Sequence, residues 1–298
     1  MSLFAPIDLS QLPPPTVVEP LNYESILSEM LADLQTRDST FSALLESDPA
    51  YKILEVAAYR ELLLRHRIND AASAVMLAYA VGSDLDQIAA GYGVARLTIR
   101  AAEPNTVPPI EAEIESDSEL RRRVLLSLEG YTTAGSRGSY VYHALSASAD
   151  CKDIGVTSLE PGTVNVAILS RAEMGYAPPA TIAAVVNALN AEQVRPLCDT
   201  VKVESAQVMV YDIVAGLTLY PDADQDSVLT RAQAAIETYA QQQHQLGRDV
   251  NRSAIFAALH QVGVQNVALS SPAADLPVLW NQAAWCHSIR ISVTGTDL

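Results

Sequence analysis

Residues 48–82, DPAYKILEVAAYRELLLRHRINDAASAVMLAYAVG, contain no helix breaker between their second and last positions. Asp48 is placed to act as an N-cap and Pro49 to take the first helical position, where its missing N–H does no harm. Gly82 can close the run in a left-handed conformation. At 1.5 Å per residue the sequence predicts a helix of roughly 50 Å, much longer than a typical globular helix. Such a rod is stable only with neighbours along its length.

The pattern within it says where those neighbours lie. Ala57, Leu64, Ala71 and Ala78 recur every seven residues, and Leu54, Ile68 and Val75 fill the complementary positions, with Glu61 as the polar intruder. The opposite side carries Arg60, Arg65, Arg67, Asn69 and Asp70, and Glu61 and Arg65 are spaced for an i,i+4 pair. This is a bundle seam with small alanines that let a second backbone come close. Because it holds few large side chains, it predicts a partner subunit or a second copy of the chain.

The chain has 298 residues, enough for two or three domains, and a formal net charge of −16. That charge argues against nucleic acid as a partner, since neutralising phosphates needs clustered Lys and Arg. A low-aromatic, acidic surface is equally unsuited to anionic lipid. The N-terminus has no basic region or apolar core of a signal peptide, and no window carries ~18 uninterrupted apolar residues. Cys151, Cys198 and Cys286 have no CxxC spacing and read as buried thiols in a reducing cytosol.

In chain order, residues 1–20 form a proline-rich arm, with Pro13, Pro14 and Pro15 favouring a polyproline conformation. Residues 21–100 are helical: one helix opened by Asn22 or Ser25, the long helix, and a short one starting at a Ser83/Asp86 capping box and ending at Gly91 and Gly93. Residues 101–115, broken by Pro104, Pro108 and Pro109, read as an extended linker, and with the loop at Gly135 as a hinge. Residues 116–205 form a first α+β module. Its helix starts at Asp117 and carries Arg121, Arg122 and Arg123, which point in three directions and read as solvated or salt-bridged. Strands follow at 154–159 and 163–169, joined at Pro161-Gly162. Residues 206–298 repeat the plan: the helix at Ser253 echoes that at Ser139, and the strand through Ile289, Ile291 and Val293 echoes Val164 to Ile168. The fold class is multidomain α+β, an N-terminal long-helix bundle region followed by two small α+β modules.

No catalytic or nucleotide-binding motif is present, and His66, His143, His244, His260 and His287 lack paired ligand spacing. The run Gly135-Ser136-Arg137-Gly138-Ser139 at a helix start suits a cap better than an anion site. No catalytic, cofactor or metal residues are assigned.

The segments DPAYKILEVAAYRELLLRHRINDAA, GSDLDQIAAGYGVAR, ESDSELRRRV, GSYVYHAL with DIGVTSLEPGTVNVAIL, and VRPLCDTVKVESA occur in this order, followed by VLTRAQAAIETY and GRDVNRSAIFAALHQV. Together they resemble the baseplate J-like proteins of contractile phage tails and phage-tail-like bacteriocins. The resemblance implies a non-enzymatic wedge subunit without cofactor, paired with a second copy of itself and joined to a smaller baseplate wedge protein. It further implies links to neighbouring wedges in a ring around the central hub and spike, in a virion or phage-tail-like particle assembled in the bacterial cytoplasm. Carried onto this sequence, the bundle contact falls on Leu54, Ala57, Leu64, Ile68, Ala71 and Val75. Neither nucleic acid nor direct membrane binding is expected. A cytosolic oligomeric adaptor would share the seam, and a soluble hydrolase would need a clustered site gathering His143 or His260 with carboxylates.

Overall fold

The computed structural model describes residues 7, 9, 12, 13, 15–132, 134–172 and 174–297, which form two compact units. The architecture is multidomain α+β, with helices in the first unit and small sheets in the second. The polyproline reading at Pro13–Pro15 includes Pro14, which lies outside the described residues.

The first unit comprises Ile7–Arg96 and Ser116–Arg121. Helix α1, Tyr23–Arg37, is opened by Asn22, whose side chain accepts the N–H groups of Glu24 and Ser25. Helix α2, Pro49–Ala74, starts where Pro49 allows, although the Asp48 carboxylate accepts the Leu45 N–H at 2.8 Å rather than capping the helix. It ends at Ala74 instead of running to Gly82, so its length is about 39 Å. The next residues fold into turns whose carbonyls would otherwise be consumed by the helix. The Arg121 guanidinium takes two of them, donating to Leu77 at 2.6 Å and to Ala80 at 2.7 Å. Gly82, at φ +53°, begins helix α3, Gly82–Gly91.

The expected capping box at α3 does not form. Asp86 pairs with Arg96 at 2.8 Å, and Arg96 also binds Asp117 at 2.7 Å, at the start of helix α4, Asp117–Ser127. Asp117 in turn accepts the Gly82 N–H at 3.1 Å, which supplies the cap from a distant part of the chain.

The second unit comprises Leu97–Glu115 and Arg122–Leu298. Residues 101–115 are not an extended connection. Strands β1, Thr98–Arg100, and β2, Glu113–Ile114, pair antiparallel, Glu103 bridges Ile110, and the Glu115 N–H donates to the Leu97 carbonyl at 2.9 Å. A segment whose ends lie side by side is a hairpin, so its tip at 104–109 is no hinge between domains. The hairpin base is held by a buried ion pair, in which Arg123 grips both oxygens of Glu115 at 2.7 Å. The loop at Gly135 is pinned as well, since a Cβ there would lie 2.7 Å from the Pro196 ring.

The next elements form one sheet with two helices. Helix α5, Arg137–Ala147, is capped by Ser136, which accepts the Ser139 N–H at 3.1 Å. Strands β3, Cys151–Glu160, and β4, Thr163–Ser170, make an antiparallel hairpin. Helix α6, Pro179–Leu189, crosses to β5, Thr200–Ser205, parallel to β4. Tyr140, Val141, Ile154, Ile168, Val185 and Leu189 are among the residues of their shared core.

Strand β6, Gln207–Leu219, runs without a break. Gly216 is a packing position within it, where a Cβ would meet the Thr294 methyl at 2.5 Å. Helices α7, Gln225–Gln243, and α8, Arg252–Leu259, pack on one side of the β7-β6-β8 sheet formed with β7, Val264–Ser271, and β8, Gln282–Thr296. Each three-stranded sheet has a central strand with one antiparallel and one parallel neighbour. The repeat is looser than the sequence echo implies: β4 pairs with the strand before it, whereas β8 crosses over β7 to pair with β6.

Candidate assembly interface

Helix α2 has one covered side and one bare side. On the covered side, Ala58 is fully buried against Ile26 and Leu27 of α1, with Tyr51, Leu54 and Leu62 packed around them. The N-terminal arm continues the cover. The Asn69 carboxamide binds both main-chain groups of Glu19, donating to its carbonyl at 2.9 Å and accepting its N–H at 3.2 Å. Arg65 reaches the Glu19 carboxylate at 3.5 Å while also pairing with Glu61. Beyond the helix, the Tyr79 hydroxyl donates to the Leu12 carbonyl at 3.0 Å.

The bare side carries most of the predicted seam. Leu64 is 65% exposed, Ile68 60% and Val75 75%; Ala71 is exposed and Ala57 is half-buried. Val75 lies at the C-cap position, just past the last helical residue. Leu54 is the exception, because its side chain packs with the α1 cluster. Ile53, 69% exposed, occupies the stripe at that level, four residues before Ala57 and eleven before Leu64. Val56 and Leu63, on the adjoining face, widen the apolar band at its N-terminal half.

Ile53, Val56 and Leu63 were missed because a strict seven-residue count was anchored on Leu54. A straight helix of 3.6 residues per turn drifts against that count, and Ile53 falls on the stripe once the drift is included. Arg60 and Arg67 lie among these apolar residues and are exposed.

Among the described residues no three His, Cys, Asp or Glu converge to hold a metal ion, and no helix is long and apolar enough to cross a membrane. The half-buried His143 ring lies 3.3 Å from the Gly130 carbonyl, and the buried His244 ring 3.0 Å from that of Ala284; burial lowers both imidazoles from their ordinary value. Burial pushes the Cys151 thiol up to about 12 and the Cys286 thiol up to about 11. Cys198 is exposed, contrary to the expectation of three buried thiols.

Three family models match successive parts of the chain. The Baseplate J-like N-terminal domain matches residues 46–103, which include α2 and α3. The Baseplate J-like central domain matches residues 132–205, and the Baseplate J-like protein C-terminal domain matches residues 211–292. Baseplate protein J of Escherichia phage P2 is 46% identical over 298 residues, covering 98% of this chain and 99% of its own length. Among solved structures, a chain of the six-fold symmetrised cryo-electron-microscopy structure of the anti-feeding prophage baseplate matches at 14% identity and TM-score 0.42, covering 60% of this chain and 43% of that one. With three family domains matched in order and a full-length relative at this identity, the chain belongs to the baseplate J-like family.

Proposed function

We propose that this protein is a structural, non-enzymatic component of a contractile-tail baseplate, and within it a wedge subunit. Its family and its full-length phage relative support the first part. The bare stripe of α2 supports the second. Ile53, Leu64, Ile68 and Val75 expose large apolar side chains in register on one side of a helix whose other side is already covered within the chain. A narrow stripe spaced by Ala57 and Ala71 suits another helix rather than a small ligand.

In this reading the stripe joins a second copy of the chain and a smaller wedge protein. The two sheet-bearing modules provide the surfaces that meet neighbouring wedges around the hub and spike. The particle is a virion or a phage-tail-like device, assembled in the bacterial cytoplasm. The chain takes part without cofactor, nucleic acid or lipid.

The test is the mass in solution by light scattering, first of the purified protein and then of the protein co-expressed with its genomic neighbours. A dimer that grows into a defined complex with a small partner supports the wedge assignment. A monomer that ignores those neighbours refutes it.

A further inference from the structure

The two three-stranded sheets of the second unit are joined without a loop. Only Ala206, buried, separates β5 from β6. Its N–H donates to Ile168 of the first sheet at 2.8 Å, and the next N–H, of Gln207, donates to Asn281 of the second module at 2.9 Å. Around this junction Ala167 and Leu169 of β4 are buried together with Leu246 and Ala283, and Trp280 packs against them.

Polar and steric contacts close the same seam. The buried Asp153 carboxylate uses one oxygen for Arg122 at 2.8 Å and the other for the Leu246 N–H at 3.1 Å, so it ties the first module's edge strand to the second module. Gly155, two residues along β3, lets the Trp280 carbonyl approach so closely that a Cβ would lie 2.5 Å from its oxygen. Gly175, at φ +100°, also lies at the seam, where a Cβ would clash with the Leu169 methyl and meet the His244 ring at 3.2 Å.

We infer that the two α+β modules form a single rigid body, locked by the Asp153–Leu246 bond, the Gly155–Trp280 contact and the Ala206 junction, so that residues 122–297 move and unfold together. Sliding the modules apart would strand a buried carboxylate oxygen and a buried N–H while opening an apolar seam, with no loop to absorb the motion. The family's division into a central and a C-terminal domain describes sequence segments, and this inference denies that those segments are mechanically independent. It does not depend on the wedge assignment, since it concerns contacts within one chain.

The full-length protein is unfolded in urea while hydrogen exchange is followed by mass spectrometry, with β4 peptides reporting the first module and β7 peptides, away from the seam, reporting the second. In the wild type the two midpoints are expected to coincide. Gly155→Val drives a side chain against the Trp280 backbone and is expected to separate them by about 0.5 M urea or more. Asp153→Ala, which adds no bulk, serves if the valine variant does not fold and is expected to separate them in the same sense. Separate midpoints in the wild type overturn the inference. So do coincident midpoints in a folded Gly155→Val variant, or in Asp153→Ala where the valine variant does not fold.

Discussion

Leu64→Asp separates stability from assembly more cleanly than any other substitution in this chain. Leu64 is 65% exposed, so the folded monomer loses little burial. Aspartate costs about 0.5 kcal/mol in helix propensity, but it would stand four residues after Arg60 and three before Arg67, where each pair returns a few tenths of a kcal/mol. The free chain should therefore melt within ~0.5 kcal/mol of the wild type. In a packed bundle the balance reverses. Covering the exposed part of a leucine contributes about 1–2 kcal/mol, and placing a carboxylate in an apolar seam adds a desolvation penalty of several kcal/mol.

Together these weaken the complex by on the order of 1000-fold or more, since each 1.4 kcal/mol is a factor of ten. Co-expression pull-down with the small partner proposed above, with light scattering of the eluate, reads this directly, and the thermal midpoint of the isolated chain serves as the control. Ala58→Asp is the contrasting variant: Ala58 is fully buried beneath α1, so it should lower the melting temperature of the monomer itself. If Leu64→Asp leaves the complex intact, the bare stripe is not the joint and the wedge assignment loses its main support.

Three further outcomes follow from the interior. Arg123→Ala strands the buried Glu115 carboxylate and should destabilise the protein by about 3–5 kcal/mol, whereas Glu115→Leu with Arg123→Met should recover most of that in a urea titration. Arg121→Ala frees the carbonyls of Leu77 and Ala80 and should cost about 1–3 kcal/mol, seen as faster amide exchange across residues 75–84. Burial holds the His244 imidazole below its ordinary value, with Lys152 adding to the shift and the Ala284 carbonyl opposing it. The unfolded chain then binds more protons than the folded one below about pH 6.5. Its contribution is complete above that pH and is lost as pH falls toward the depressed folded value. Stability should decline from pH 7 to pH 5, and His244→Gln, which can still donate to the Ala284 carbonyl, should flatten that decline; an unchanged slope refutes the assignment.

The sequence made local structure legible where a single residue type decides it. Asn22 opens α1, Pro49 opens α2, Ser136 caps α5 and Gly162 turns the β3–β4 hairpin, as their side-chain chemistry requires. Misreadings arose where a distant partner decides. The helical pattern of residues 75–81 is broken by Arg121, the expected cap of α3 is supplied by Asp117, and the apparent linker at 101–115 closes into a hairpin held by Arg123. An apolar stripe was legible but not in phase, because a strict seven-residue count put Leu54 on it, whereas Leu54 packs with α1 and Ile53 is exposed. The join between the modules had no local signal at all, since Asp153, Gly155 and Ala206 acquire their roles from residues more than 30 positions away.

Under the proposed wedge assignment, the interruptions of the bare stripe limit indiscriminate contact between copies. A contiguous apolar patch invites indiscriminate association, and on α2 the large side chains are interrupted by Ala57 and Ala71 and accompanied by exposed Arg60 and Arg67. No single contact on it is strong. Its energy accumulates only when a second helix follows it over several turns, which favours a long, straight partner over an accidental one. The −16 net charge adds a general repulsion between copies that a short contact would not overcome. Selective assembly in this reading comes from weakness distributed along a rod, with specificity set by length and register rather than by any dominant residue.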